Sequence, residues 1–190
     1  AGAQREALVV MRTAVGRRHP LGHICGLLHL DLGEFAQART LLEQRFGLPA
    51  TVKGQRRNDA VRNELAEAAL VRLVLLRMHE GADPKDDLVA QAFADPGLDP
   101  GLVLAEQFLG GAIGAKELVQ RAEAARAGPW PRYFLALDGL ARGLHDQARQ
   151  DFEALAADQA LHPARGSARA LAAWYRAQTP ESLARLPKDP

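Results

Sequence analysis

The sequence predicts an all-α fold built from repeated helical hairpins. Alanine and leucine are abundant, β-branched residues are scarce, and strict alternation of apolar and polar residues never extends beyond about four positions, which disfavours strands. With 190 residues and 47% hydrophobic content, the chain is long enough to bury a core. We therefore expect a single domain over residues 1–190.

The clearest hairpin lies in residues 130–160. Its first half carries an apolar stripe at helical spacing, formed by Tyr133, Phe134, Leu137 and Leu140. After Gly143, its second half carries another stripe, formed by Leu144, Ala148, Phe152 and Leu155. Two helices joined by a tight turn leave one face unburied, so such a unit is stable only when packed on neighbours.

Helix-capping and helix-breaking residues predict where the other helices begin and end. Asp99–Pro100 and Thr179–Pro180 each combine a capping side chain with a proline in the first turn, and Gly33 marks the turn of an earlier hairpin. The predicted helices outside the central hairpin cover residues 3–17, 20–32, 33–46, 60–79, 84–94, 99–109, 115–127, 163–177 and 180–186.

Two hairpins resemble the tetratricopeptide repeat, a helix-turn-helix of roughly 34 residues. The residues that match it in the central unit are Leu135, Ala136, Gly143, Ala148, Phe152 and Pro163. Those in the earlier unit are Gly26, Gly33, Phe35, Ala38 and Leu42. The resemblance implies a right-handed α-solenoid of about five helix-turn-helix hairpins, with several degenerate units because the predicted starts are unevenly spaced.

The first predicted helix resembles the second helix of a repeat whose first helix is missing. We therefore expect the chain to be a piece of a longer protein. An uncapped solenoid end exposes apolar side chains, here Leu8, Met11 and Val15, so a homo-oligomer formed through that end is a further expectation.

The sequence predicts no enzyme, no cofactor and no metal site. His19, His23, Cys25 and His29 fall within eleven residues, but Pro20 places His19 outside the helix and breaks the i, i+4 pair. The glycines of residues 109–118 follow no strand and lack the lysine–serine/threonine pair of a phosphate loop. Neither serine lies in a nucleophile-elbow setting.

The resemblance implies a function in binding. First helices of the family line a concave groove that holds a peptide or a partner's helix. In this chain the corresponding residues are His23, Leu27, Leu30, Asp31, Tyr133, Leu137 and Ala141. The leucines also suit packing against the next hairpin, whereas His23, Asp31 and Tyr133 have polar tips to present. The expected function is a non-catalytic protein-interaction or scaffold module; the alternative is a ligand- or peptide-sensing domain with a closed pocket lined by His23 and Tyr133.

Charge and hydropathy restrict the partners. The net charge of +1 disfavours nucleic acid, and no apolar run approaches the ~18 residues that a membrane span needs. The linker over residues 47–58 is the longest non-periodic segment, and Lys53, Arg56 and Arg57 make it basic. We expect a solvated loop there, with contact to an anion or an acidic partner as the alternative.

Overall fold

The computed structural model describes residues 6, 9, 22–46, 59–80, 87–94, 97–158 and 162–186. From residue 22 onward, the described segments form ten α-helices and no strand, which confirms the all-α class. In chain order the helices are α1 (Gly22–Asp31), α2 (Phe35–Phe46), α3 (Asp59–Glu80), α4 (Asp87–Ala92), α5 (Pro100–Leu109), α6 (Ala115–Ala125), α7 (Trp130–Ala141), α8 (His145–Ala157), α9 (Pro163–Arg176) and α10 (Pro180–Ala184). The predicted helix at residues 3–17 and the basic linker lie outside the described residues, apart from residues 6 and 9.

Local signals in the sequence fix the helix ends. The Asp99 carboxylate accepts a hydrogen bond of 2.7 Å from the Gly101 N–H and caps α5. Thr179 and Ser182 exchange bonds of 3.2 and 3.0 Å at the start of α10, which makes a capping box. Gly33 and Gly143 adopt φ of 72° and 73°, the left-handed conformation that lets the hairpins α1–α2 and α7–α8 reverse direction.

Helix α3 lies at the centre of the packing, in contact with α1, α2, α4, α5 and α7. A helix that is apolar on all faces is buried in the interior. The middle of α3 has this character, since its buried residues are Ala66, Glu67, Ala68, Ala69, Leu70, Val71, Leu73, Val74, Leu75, Leu76 and Met78. The small alanines allow the surrounding helices to approach closely. The hairpins thus pack around an internal helix of the same chain.

The first and last described hairpins meet. Helix α9 contacts α1 as well as α7 and α8. The rings of Phe35 and Trp174 lie edge to face with centroids 5.2 Å apart. A linear stack of hairpins would not need such a contact between its ends, so the helices close around α3. The right-handed solenoid implied by the family resemblance remains a prediction.

None of the described helices is both long and apolar enough to cross a membrane. Helix α3 is the longest of them at 22 residues.

Gly33→Ala is expected to lower the free energy of unfolding by roughly 2–3 kcal/mol. An added Cβ would meet Trp174 Nε1 at 2.0 Å, and the backbone has φ of 72°. Gly111→Ala is the matched control, because Gly111 has φ of 77° and open space around its Cβ, so only the backbone cost of about 1 kcal/mol applies. Urea unfolding measures both. Equal losses would contradict the contact between Gly33 and Trp174.

Candidate functional site

Most residues predicted to line a groove lie inside the fold. Tyr133 and Leu137 of α7 are fully buried, as are Leu30 and Ala141. Leu27 is partly buried against the core, and Asp31 is half-buried at the end of α1. His23 falls in α1, but its side chain lies outside the described part of the chain, as do Lys53, Arg56 and Arg57. The buried side chains of α7 pack against other helices of the same chain. They could bind a partner only if α3 were displaced.

The structure does bring Asp31 and Tyr133 together, in a cluster that we call the inner cluster, formed by Asp31, Glu67, Tyr133 and Ser167. These residues come from α1, α3, α7 and α9; α1 and α7 each contact both α3 and α9. The sequence analysis predicted Asp31 and Tyr133 as residues of one binding groove. It did not predict that Glu67 of α3 would lie with them. Its local sequence, Leu-Ala-Glu-Ala-Ala, gives no sign that the carboxyl is buried.

Burial dominates the electrostatics of the inner cluster. Loss of solvent, followed by repulsion from Asp31 and Glu64, raises the pKa of Glu67 to about 8. Burial likewise raises the pKa of Asp31 to about 6, with a smaller opposing effect from the Ser167 hydroxyl. Burial and then the charges of Glu67 and Asp31 raise the pKa of Tyr133 well above its ordinary value. The Ser167 hydroxyl lies close enough to both groups to lower their pKa values slightly, and no hydrogen-bond partner is found for Tyr133 Oη or Asp31 Oδ1 among the described residues.

Burial therefore makes both carboxyls hold a proton more tightly than an exposed carboxyl does, with pKa values of about 8 for Glu67 and about 6 for Asp31. Glu67 and Tyr133 are almost completely removed from solvent, whereas Asp31 and Ser167 are partly exposed. The cluster influences the stability of the packing around α3.

A second feature is open to solvent. A groove of about 580 Å³, which we call the outer groove, lies over α7 between α6 and α8 and extends to the first turn of α9. Its apolar lining comprises Val119, Ala122, Ala127, Pro129, Pro131, Leu135, Ala154 and Leu155. Its polar lining comprises Glu123, Arg126, Arg132, Gln147, Asp151, Asp158 and Arg165. Val119 is also one of the few large apolar side chains exposed in the described chain.

Aromatic packing beneath the outer groove holds its floor in place. Trp130 stacks on Phe134 with ring centroids 6.0 Å apart, on the side of α7 that faces the core. Tyr133 contacts both Phe134 and Phe152 edge to face, at 5.3 and 6.2 Å, and so joins α7 to α8. The floor and one wall of the groove are thus supported by rigid, buried side chains.

Two of the three arginines in the outer groove are paired within the protein. Arg132 Nε lies 3.5 Å from Asp151 Oδ1, and the Gln147 amide donates to the other oxygen of Asp151 at 3.0 Å. Arg165 lies 2.5 Å from Asp158. Arg132 is 59% exposed, so its outer nitrogens face solvent.

Arg126 differs from the other two in pairing and in backbone conformation. It makes no ion pair within the described segments, and it ends α6 with φ of 49°. Glycine or asparagine is the usual residue at this left-handed position, because a Cβ there costs about 1–2 kcal/mol. Its backbone N–H still bonds to the α6 carbonyls of Ala122 and Glu123.

The outer groove was missed by the sequence analysis. The apolar stripe of α7 placed Tyr133 and Leu137 in a groove, but these residues face the core, and the opposite face presents Pro131, Arg132 and Leu135. Leu135 could have indicated this groove, because it is an apolar residue outside the main apolar stripe of α7. Whether Leu135 is covered depends on which helices pack on α7, and the local periodicity does not contain that information.

The described metal-ligand side chains do not form a group of three that could hold an ion. His29 Nδ1 lies 2.6 Å from Glu34 Oε2, so this histidine is engaged by a neighbouring carboxylate. Comparison of the chain with protein-family models, curated proteins and solved structures finds no match. The outer groove and the inner cluster are therefore interpreted from their own geometry.

Proposed function

We propose that the protein is a non-catalytic interaction module that binds a segment of a partner protein in the outer groove. The observation that carries the proposal is the groove itself, to which α6, α7 and α8 each contribute both apolar and charged side chains. A surface that combines apolar area with polar and charged groups is typical of protein–protein interfaces. Because the aromatic side chains beneath the groove are already packed, the groove should lose little conformational entropy on binding.

The shape favours a protein segment over a small ligand. Small-molecule sites enclose most of their ligand, whereas the outer groove is only partly enclosed. The alternative function, a ligand-sensing domain, expects a closed pocket at Tyr133. The space around Tyr133 is filled by Phe134, Phe152 and the inner cluster, so no observation in the described residues favours that alternative.

Selection of binders from a random peptide display library tests the proposal. Ala154→Glu places a charge over the apolar floor at an exposed helical position, so the fold should be retained. We expect selected peptides to bind this variant about tenfold more weakly than the original protein, measured by fluorescence anisotropy.

Ala157→Glu is the matched control, since it makes the same change at an exposed position of α8 outside the groove. Affinity should be unchanged there. Peptides that bind the Ala154→Glu variant as tightly as the original protein would place the interaction elsewhere and overturn the proposal. A selection that returns no binder would also count against it.

A further inference from the structure

We infer that the segment held in the outer groove is an amphipathic helix of about three turns, with a carboxylate that faces Arg126 and a basic side chain that faces Glu123. This inference rests on the proposed function and specifies the partner of the same groove. Three observations carry it: the length of the groove, the lack of backbone groups for an extended peptide, and the two charges left unpaired.

The walls of the outer groove have the length and spacing of helix–helix packing. On α8, the lining residues Gln147, Asp151, Leu155 and Asp158 recur every three or four positions over twelve residues, or about 16 Å of helix. On α6, Val119, Ala122, Glu123 and Arg126 lie at i, i+3, i+4 and i+7, which is one face of a helix. Two helical ridges above an apolar floor accept the ridge of a third helix, with apolar side chains at i, i+3 or i+4, and i+7.

An extended peptide would lack its usual partners. Addition of a strand needs an exposed sheet edge with unpaired N–H and C=O groups, but the walls are helices whose backbone groups bond internally. A polyproline segment needs a groove lined by exposed aromatic rings. None of the residues that line the outer groove is aromatic.

The charges of the groove specify the partner further. Asp151 and Asp158 already pair with Arg132 and Arg165. Arg126 and Glu123 are exposed, line the groove and have no ion pair in the described chain. They lie one turn apart on α6, so a complementary helix carries an acidic and a basic residue one turn apart. Arg126 also occupies a backbone position that glycine fits better.

The selected peptides provide the probes for this inference. We expect them to show the apolar helical spacing, to gain helical circular dichroism on binding, and to lose affinity when proline replaces a central residue. Arg126→Glu should weaken peptides that carry the acidic residue about fivefold, and replacement of that residue by lysine should restore binding. Arg149→Glu is the control, because Arg149 is about half exposed and lies outside the groove.

Arg126→Gly separates a binding role from a structural one. If Arg126 serves the partner, glycine at this left-handed position should raise the midpoint of urea unfolding while it weakens peptide binding. A lower midpoint with unchanged binding would overturn the role of Arg126.

The failures of the two proposals are distinguishable. Some peptides could lose affinity for Ala154→Glu and yet keep it after the central proline replacement, or bind Arg126→Glu as tightly as the original protein. Either result would contradict the inference of a helical partner with a carboxylate that faces Arg126, but it would leave the proposed interaction module standing. Peptides that ignore Ala154→Glu would overturn both.

Discussion

Asp138→Ala is expected to lower the free energy of unfolding by about 3–5 kcal/mol, the largest effect of any single substitution considered for this protein. Asp138 is only 7% exposed and links α7 to α3. One carboxylate oxygen lies 2.8 Å from Arg142 Nε, and the other lies 3.6 Å from Arg77 Nη1. Arg77 projects from α3, is 12% exposed, and also donates to the Leu109 carbonyl of α5. Removal of the carboxylate takes the charge of Asp138 away from this largely buried guanidinium.

Chemical denaturation measures the loss, with Asp146→Ala as the matched control. Asp146 is 95% exposed and its contact with Arg149 is 3.8 Å, so its removal should change stability by less than about 0.5 kcal/mol. Asp138→Asn keeps the size of the side chain and should fall between the two. Similar results for Asp138→Ala and Asp146→Ala would mean that Arg77 is not held as the structure describes.

Glu67→Gln is expected to remove most of the fall in stability that the original protein shows as pH rises from 6 to 8. The pKa of Glu67 rises from 4.5 in the unfolded chain to about 8 in the folded protein. Between these values the unfolded state releases the proton and the folded state keeps it, so the free energy of unfolding falls as pH rises. The raised pKa of Glu67 corresponds to a total fall of roughly 3–5 kcal/mol across this window.

The direction of this pH dependence distinguishes Glu67 from an ion-paired carboxylate, which would make the protein more stable as pH rises through its pKa. Glutamine resembles the protonated carboxyl, so the variant should be more stable than the original protein at pH 8. Asp31 contributes in the same direction, but only up to its pKa of about 6. The decisive window is therefore pH 6–8.

Urea unfolding at several pH values tests the Glu67 prediction. The original protein should lose stability from pH 6 to 8, and Glu67→Gln should stay nearly constant. Glu117→Gln is the control, because Glu117 is about half exposed on α6 and should leave the slope unchanged. A flat profile for the original protein in this window would show that the carboxyl of Glu67 reaches solvent or a cation.

The local structure of the helices could be predicted from the sequence alone. The helix starts at Asp99–Pro100 and Thr179–Pro180, and the turns at Gly33 and Gly143, all lie where the sequence predicted them. These features depend on groups within a few residues of each other: a side chain that caps a nearby N–H, a proline that needs no donor, and a glycine that tolerates positive φ. Stripes of apolar residues likewise identified which segments are helical.

The packing partner of each helix could not be predicted from the sequence and is seen only in the folded protein. An apolar stripe states that a face is buried, but it does not identify the element that covers it. The covering element here is α3, which occupies the centre and buries the faces of α7 that a groove would otherwise expose. Asp31 and Tyr133 therefore meet Glu67 inside the protein, and Pro131, Arg132 and Leu135 form the outer groove. Such pairings join residues tens of positions apart, where periodicity carries no information.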